Sequence, residues 1–176
     1  MNKQEGKRIA PDFFLRDVLV IAPELLGKIL VRKFDSGTIE RYVISETEAY
    51  RGEEDLACHA SKGRKPRVEP MYRQGGILYV YLIYGMYHML NMVTAPEGNP
   101  EAVLLRGLTA VNGPGRLTKM LEIDQSFNFE NLQTSERIWL EEPEIPLIFE
   151  IKTAPRIGID YAGELWKNKP WRFYIG

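Results

Sequence analysis

The chain has 176 residues, 44% of them hydrophobic and 27% charged, and 23 Lys+Arg against 24 Asp+Glu leave a formal net charge of −1. That length suits one domain, and the composition is globular: too apolar for a disordered chain, too neutral for a histone-like DNA binder. A single cysteine, Cys58, excludes an internal disulfide, and the uncharged, tyrosine-rich run 77–90 is too short to span a bilayer.

In chain order, residues 12–26 are expected to be helical, with Pro23 at an end or at a kink. Residues 28–34, rich in Ile, Leu and Val, pair as a hairpin with residues 38–50 across Asp35-Ser36-Gly37. In the second strand a period of two places Tyr42, Ile44, Glu46, Glu48 and Tyr50 on one face. That face turns from apolar to acidic, and a carboxylate at the end of a buried strand is either a surface rim or a site. Residues 52–76 show little periodicity and far exceed the usual connection of about 4–6 residues, so the segment is expected to be functional or partly disordered. Strands follow at 77–84, 86–94 and 101–108, an antiparallel meander with a tight reversal at Tyr84-Gly85-Met86. Asn112-Gly113-Pro114-Gly115 breaks the chain before a short helix over 116–123. Later strands are expected at 137–140, 147–153 and 171–175. The fold class is α+β: one compact mixed domain, 1–176, with a mainly antiparallel sheet, a protruding β-hairpin, flanking helices and a flexible stretch of about ten residues at the N-terminus.

Charge is distributed unevenly. Residues 62–73 carry Lys62, Arg64, Lys65, Arg67 and Arg73 against Glu69 alone, while residues 46–55 and 141–150 are acidic. The basic loop is either a local anion-binding face or simply solvated. The N-terminal charges have no apolar stretch behind them, so no secretory signal is read and a cytoplasmic location is expected.

Several chemistries can be set aside. His59, His88 and Cys58 do not make a zinc-ligand set, and there is no Walker loop, G-x-G-x-x-G or G-x-S-x-G. No metal and no cofactor are therefore expected. Cys58 reads as a plain buried thiol. Tyr79, Tyr81, Tyr84 and Tyr87 fall within nine residues. In a sheet they are either core with solvated hydroxyls or a ligand platform. A tyrosine beside glycine at a hairpin tip, however, has little core to fill. An exposed aromatic wedge near basic residues suits a protein that distorts a duplex, and stacking on aromatics gives about 1–3 kcal/mol per base.

Glu46-Thr47-Glu48-Ala49-Tyr50, Asp55, His59, the run 78–87 with Asn91, and Val103-Leu104-Leu105-Arg106 resemble the 3-methyladenine (alkyladenine) DNA glycosylase family in its short, bacterial-type form. Gly113-Pro114 with Arg116-Leu117, Arg156-Ile157-Gly158-Ile159 and Lys169-Pro170-Trp171-Arg172-Phe173-Tyr174 extend the resemblance to the C-terminus. It implies that Glu48 is the general base for water and that Arg106 orients that water, helped by a main-chain carbonyl near Ile159. It implies a base pocket of Tyr50, His59, Tyr81, Asn91 and Ile159, with Tyr84 entering the minor groove. Lys62, Arg64, Lys65, Arg67, Arg73 and Arg116 are the expected phosphate contacts. Asp160 stands where animal relatives have a small residue, which leaves the range of lesions open.

Elementary chemistry agrees with that assignment. N-glycosidic cleavage passes through an oxocarbenium-like state, which one carboxylate can serve when the leaving purine is already cationic. Glu46 is read as structural, because a second carboxylate beside Glu48 would hinder its role as base. The expected enzyme is a monomeric, monofunctional glycosylase of base excision repair acting on double-stranded DNA with damaged purines. Open alternatives are a non-catalytic damage-binding module, a nucleoside hydrolase and a helix-hairpin-helix glycosylase.

Overall fold

In the computed structural model, which describes residues 6–176, the opening is two short pieces where the sequence suggests one helix. A 3-10 turn at Pro11–Leu15 is followed by α1 (Val18–Glu24). Asp17 separates them: its backbone is non-helical, and its carboxylate accepts the Leu19 N–H at 2.8 Å, capping α1. Pro23 falls inside α1, in its last turn, where it withholds an intrahelical N–H and the helix ends one residue later.

β1 (Ile29–Lys33) and β2 (Ile39–Arg51) form the expected hairpin, registered from Ile29 opposite Val43 to Lys33 opposite Ile39. β3 (Leu78–Ile83), β4 (Tyr87–Thr94) and β5 (Glu101–Leu108) form the meander, and β5 pairs with the second half of β2. Then come β6 (Val111–Asn112), a two-residue strand the sequence did not announce, and α2 (Pro114–Met120). β7 (Ile138–Glu141) is followed by β8 (Ile151–Ala154), α3 (Glu164–Lys167) and β9 (Arg172–Ile175). Among the described residues the strands make one nine-stranded sheet, ordered β3-β4-β5-β2-β1-β7, with β6 on β5 and β9 joining β2 to β8. Every pairing is antiparallel, so the α+β class holds. The strand expected over 147–153 is confined to Ile151–Ala154. Pro143 and Pro146 lack the N–H a ladder needs, and Ile148 is fully exposed. Residues 1–5 lie outside the described residues, and the rest of the expected flexible stretch is tied to the β7 region. Lys7 O accepts Glu142 N–H, and Ile9 N–H donates to Leu140 O. No helix is long and apolar enough to cross a membrane among the described residues.

The period of two in β3 decides what lies on either side of the sheet. Leu78 and Val80 join the main core with Phe14, Ile21, Leu25, Leu30 and Ile44. Tyr79 turns the other way, into a second cluster with Cys58, Val68, Met71 and Tyr72, and Tyr81 packs against that cluster. Residues 52–76 cover this second face. They are ordered, with 3-10 turns at His59–Lys62 and Pro66–Tyr72. Their apolar residues lack a period because the segment has no regular element to impose one, yet they bury a core of their own.

Candidate active site

The site begins in the second half of β2. The ladder with β5 slips between Ile44 and Thr47, placing Glu46 opposite Gly107, and a Cβ at residue 107 would meet the Glu46 Cβ at 3.0 Å. Glycine there admits the Glu46 side chain. Glu48 follows, opposite Leu104 of β5 and Arg172 of β9.

Glu48 is fully buried. Its Oε1 accepts the Ile157 N–H at 2.8 Å, and its Oε2 accepts the Tyr50 hydroxyl at 2.8 Å. Arg106 Nε lies 3.5 Å from Glu48 Oε1 and 3.5 Å from Glu46 Oε1, and it is buried with no hydrogen-bond partner. Glu46 Oε1 accepts a bond from Arg172 Nη1 at 3.0 Å. Burial pushes the Glu48 carboxyl above its ordinary range, against the pull of Arg106, the Ile157 amide and the Tyr50 hydroxyl. Burial and the neighbouring Glu48 push the Tyr50 phenol well above its ordinary value, so it stays protonated and donates.

In front of Glu48 opens a pocket of about 1670 Å³. Tyr50, His59, Tyr81, Asn91 and Ile159 all line it, together with Glu46 and Arg106, so the residues expected to form a base pocket come together. Glu48 sits behind this lining. His59 Nδ1 lies 2.9 Å from the Tyr79 hydroxyl, and its ring centroid is 4.5 Å from that of Tyr81. Burial, then Arg67 and Lys62, lower the His59 pKa and favour the neutral ring. Asn91 is buried and donates Nδ2 to Tyr79 O at 3.1 Å. Asp160 is exposed and outside the lining, although its neighbours Ile159 and Tyr161 belong to it. Cys58 is buried and its thiol is pushed up to about 12, an inert group.

Tyr84 stands at the rim, 85% exposed, at the tip of the β3–β4 hairpin. Tyr84 and Gly85 both take positive φ, 53° and 64°, and Met86 N–H closes the turn on Ile83 O. Glycine adopts that conformation freely, whereas a bulky residue does so at a cost of about 1–3 kcal/mol. Lys62, Lys65, Arg67 and Arg116 also line the pocket. Arg64 and Arg73 do not: both turn onto Glu69, at 2.7 and 3.3 Å.

Two groups received no role from the sequence. Asp55 and Arg156 are fully buried and doubly bonded, Nη1 to Oδ2 at 2.6 Å and Nη2 to Oδ1 at 2.9 Å. Arg156 also donates to Ala49 O at 2.9 Å and lies over the rings of Tyr50 and Trp171. The only signal for this pair was that both residues fall in family-like blocks; their meeting across 101 positions of chain has no local trace. Tyr161 lines the pocket and donates its hydroxyl to Ala57 O at 2.9 Å, and no sequence signal marked it.

Comparison with known proteins settles the family. The family model for methylpurine-DNA glycosylase matches residues 12–111 and 109–176, nearly the whole chain. The chain belongs to the methylpurine-DNA glycosylase family. It is thus a DNA repair enzyme, a hydrolase of N-glycosyl bonds. A protein of Desulfitobacterium hafniense, named "Putative 3-methyladenine DNA glycosylase", is 42% identical, over 96% of this chain and 95% of its own. Proteins bearing the same name from Borreliella afzelii and Legionella pneumophila are 45% and 43% identical, covering 93% and 96% of this chain and 93% and 94% of theirs.

Proposed function

We propose that this glycosylase extrudes an alkylated or deaminated purine, 3-methyladenine and related lesions, from duplex DNA and hydrolyses its N-glycosidic bond with water activated by Glu48. The observation that supports it best is the enclosed Glu48 carboxylate, held by Tyr50 and Ile157 beside an unpartnered Arg106 Nε, at the back of an aromatic pocket. Each carboxylate oxygen has two acceptor sites and each here takes one hydrogen bond, so Glu48 can still accept one from water. Arg106 Nε is the donor that would fix the oxygen of that water.

In the reaction the water oxygen bonds to C1′ as the C1′–N bond breaks. The water proton passes to Glu48, and the bonding pair leaves with the purine. A lesion that is already cationic departs without an acid. The product is an abasic site. The base slides between Tyr50 and the His59–Tyr81 pair, whose neutral imidazole and protonated phenols offer faces for stacking. Tyr84, held outward by its turn, fills the gap left in the duplex. Lys62, Lys65, Arg67 and Arg116 contact phosphates, so binding should weaken steeply with salt. Arg64 and Arg73, drawn onto Glu69, contribute less.

The test is alkaline cleavage of an end-labelled duplex carrying one ethenoadenine or hypoxanthine, with release of 3-methyladenine from methylated DNA measured in parallel. Release by wild type, lost in Glu48→Gln, is the expected result. No release from any of these substrates by a folded protein that still binds lesions would overturn the reading in favour of a damage-binding module. Borohydride trapping of a covalent adduct would replace water with an amine nucleophile.

A further inference from the structure

Glu46 lines the same pocket as the catalytic pair, although its charge looks like an obstacle to a neighbouring base. The geometry points to a positioning role: Glu46, anchored by Arg172, holds the Arg106 guanidinium midway between two carboxylates and keeps it from closing on Glu48. This rests on the reading of Glu48 as the base and adds a residue to it.

The argument starts from the spacing. Arg and carboxylate groups left to themselves pair at about 2.7–2.9 Å, often bidentately. Here Arg106 Nε stands 3.5 Å from each of two carboxylate oxygens and bonds to neither, although it is buried. A buried donor left unsatisfied carries a penalty, so something holds it off. Glu46 is the competing acceptor, and Arg172 fixes it: Nη1 bonds Glu46 Oε1 at 3.0 Å, while Nε is tied to Pro155 O at 3.0 Å. The order Glu48, Arg106, Glu46, Arg172 alternates in sign, which offsets the repulsion between the carboxylates. The result suits a base. A carboxylate clamped by arginine holds its charge too well to take a proton, whereas one at 3.5 Å keeps an open acceptor position and leaves Arg106 a donor for water. The other groups facing Glu48 are Tyr50 on its own strand and Ile157 N–H and Arg156 from the segment before α3. Tyr81 of β3 and Tyr161 lie within electrostatic reach. None of these touches Arg106 Nε in the way Glu46 does.

The experiment reads the titration of Glu48 directly in the DNA-free protein by side-chain carboxyl NMR, its resonance identified by its loss in Glu48→Gln. In Glu46→Gln, Arg106 should collapse onto Glu48 and lower its midpoint by about one pH unit, the scale of an added close opposite charge. Glu46→Asp keeps the charge but draws back by one methylene, and it should lower the midpoint in the same direction. A midpoint unmoved in both variants overturns the inference. So does a shift in Glu46→Gln with none in Glu46→Asp, because a bare field effect would then suffice. Should Glu46→Gln fail to fold, Arg172→Gln frees Glu46 to draw Arg106 away and should raise the midpoint; no movement there also overturns it. Base release by wild type and Glu48→Gln is followed separately, so failure of Glu48 as base and failure of Glu46 as positioner give different results.

Discussion

Two buried arginine–carboxylate arrangements among the described residues have opposite character. Arg156 and Asp55 make two short bonds, 2.6 and 2.9 Å, and the remaining acceptor capacity of Asp55 is filled by the amides of Arg51 and Ala57. Arg106 and Glu48 stand 3.5 Å apart with the guanidinium Nε unbonded. The first arrangement is closed at the charges: both Arg156 Nη groups bond the carboxylate, as burial requires, and only Arg156 Nε, turned from Asp55, lacks a hydrogen-bond partner. The second is open: Arg106 Nε is unbonded, and each Glu48 oxygen takes a single hydrogen bond. Two pairs of like chemistry are therefore placed for different things: Asp55–Arg156 braces Ala49 O and lies against the ring of Tyr50, and Glu48–Arg106 has the unfilled positions that the proposed water would occupy.

The largest effect should come from the open pair. Glu48→Gln is expected to lower base release by about 10²- to 10⁴-fold, the usual contribution of a general base, in single-turnover cleavage of a lesion duplex. Its chemical denaturation midpoint should stay near that of wild type, since glutamine can still accept from Tyr50 or Ile157. The closed pair should show the reverse priority. Asp55→Asn or Arg156→Met leaves one buried charge uncompensated and should cost about 3–5 kcal/mol in urea unfolding, with loss of activity following loss of the fold. Equal destabilisation by Glu48→Gln and Asp55→Asn would erase the distinction.

Acidity separates the pairs further. A base must be ionised, and the Glu48 carboxyl is held above the ordinary carboxylate range, chiefly by burial. Base release should therefore fall at a higher pH than an exposed glutamate would give. The sign for stability is opposite. A carboxyl raised in the folded state contributes stability that is fully present below its unfolded pKa and is lost as pH rises through its folded pKa. Between those two values wild type should lose stability relative to Glu48→Gln as the pH climbs, while its activity rises. Parallel rise of stability and activity across that window would show that Glu48 is not the group being titrated.

The closed pair is also where the sequence was least legible. Alternation along β2 announced its faces, and a tyrosine next to glycine announced the exposed hairpin tip, because those rules act between near neighbours. The slip at Glu46 could not be read, since it depends on Gly107 on another strand. Nor could the bond between residues 55 and 156, or the division of the basic loop by Glu69 into cations that face the pocket and cations that do not. The order of residues 52–76 was hidden for a related reason: their apolar side chains pack without a period. The base-pocket positions came from the resemblance, and the structure adds the contacts that join them.

The smallest effects on stability belong at the rim, where the comparison with the buried pairs is sharpest. Tyr84 is 85% exposed and holds φ at 53°. Tyr84→Ala should change unfolding by no more than about 0.5 kcal/mol, as for other exposed positions. Its affinity for a lesion duplex should fall by the worth of one stacked ring, about 1–3 kcal/mol, in fluorescence anisotropy. Tyr84→Gly is the more telling variant. Glycine accepts positive φ without a Cβ clash, so part of the strain should be released and the fold should gain up to about 1 kcal/mol while the same affinity is lost. A residue whose removal relaxes the protein and weakens its grip on DNA is held there by the duplex and not by the fold. Destabilisation of the free protein by Tyr84→Gly would instead place the ring among the packing residues.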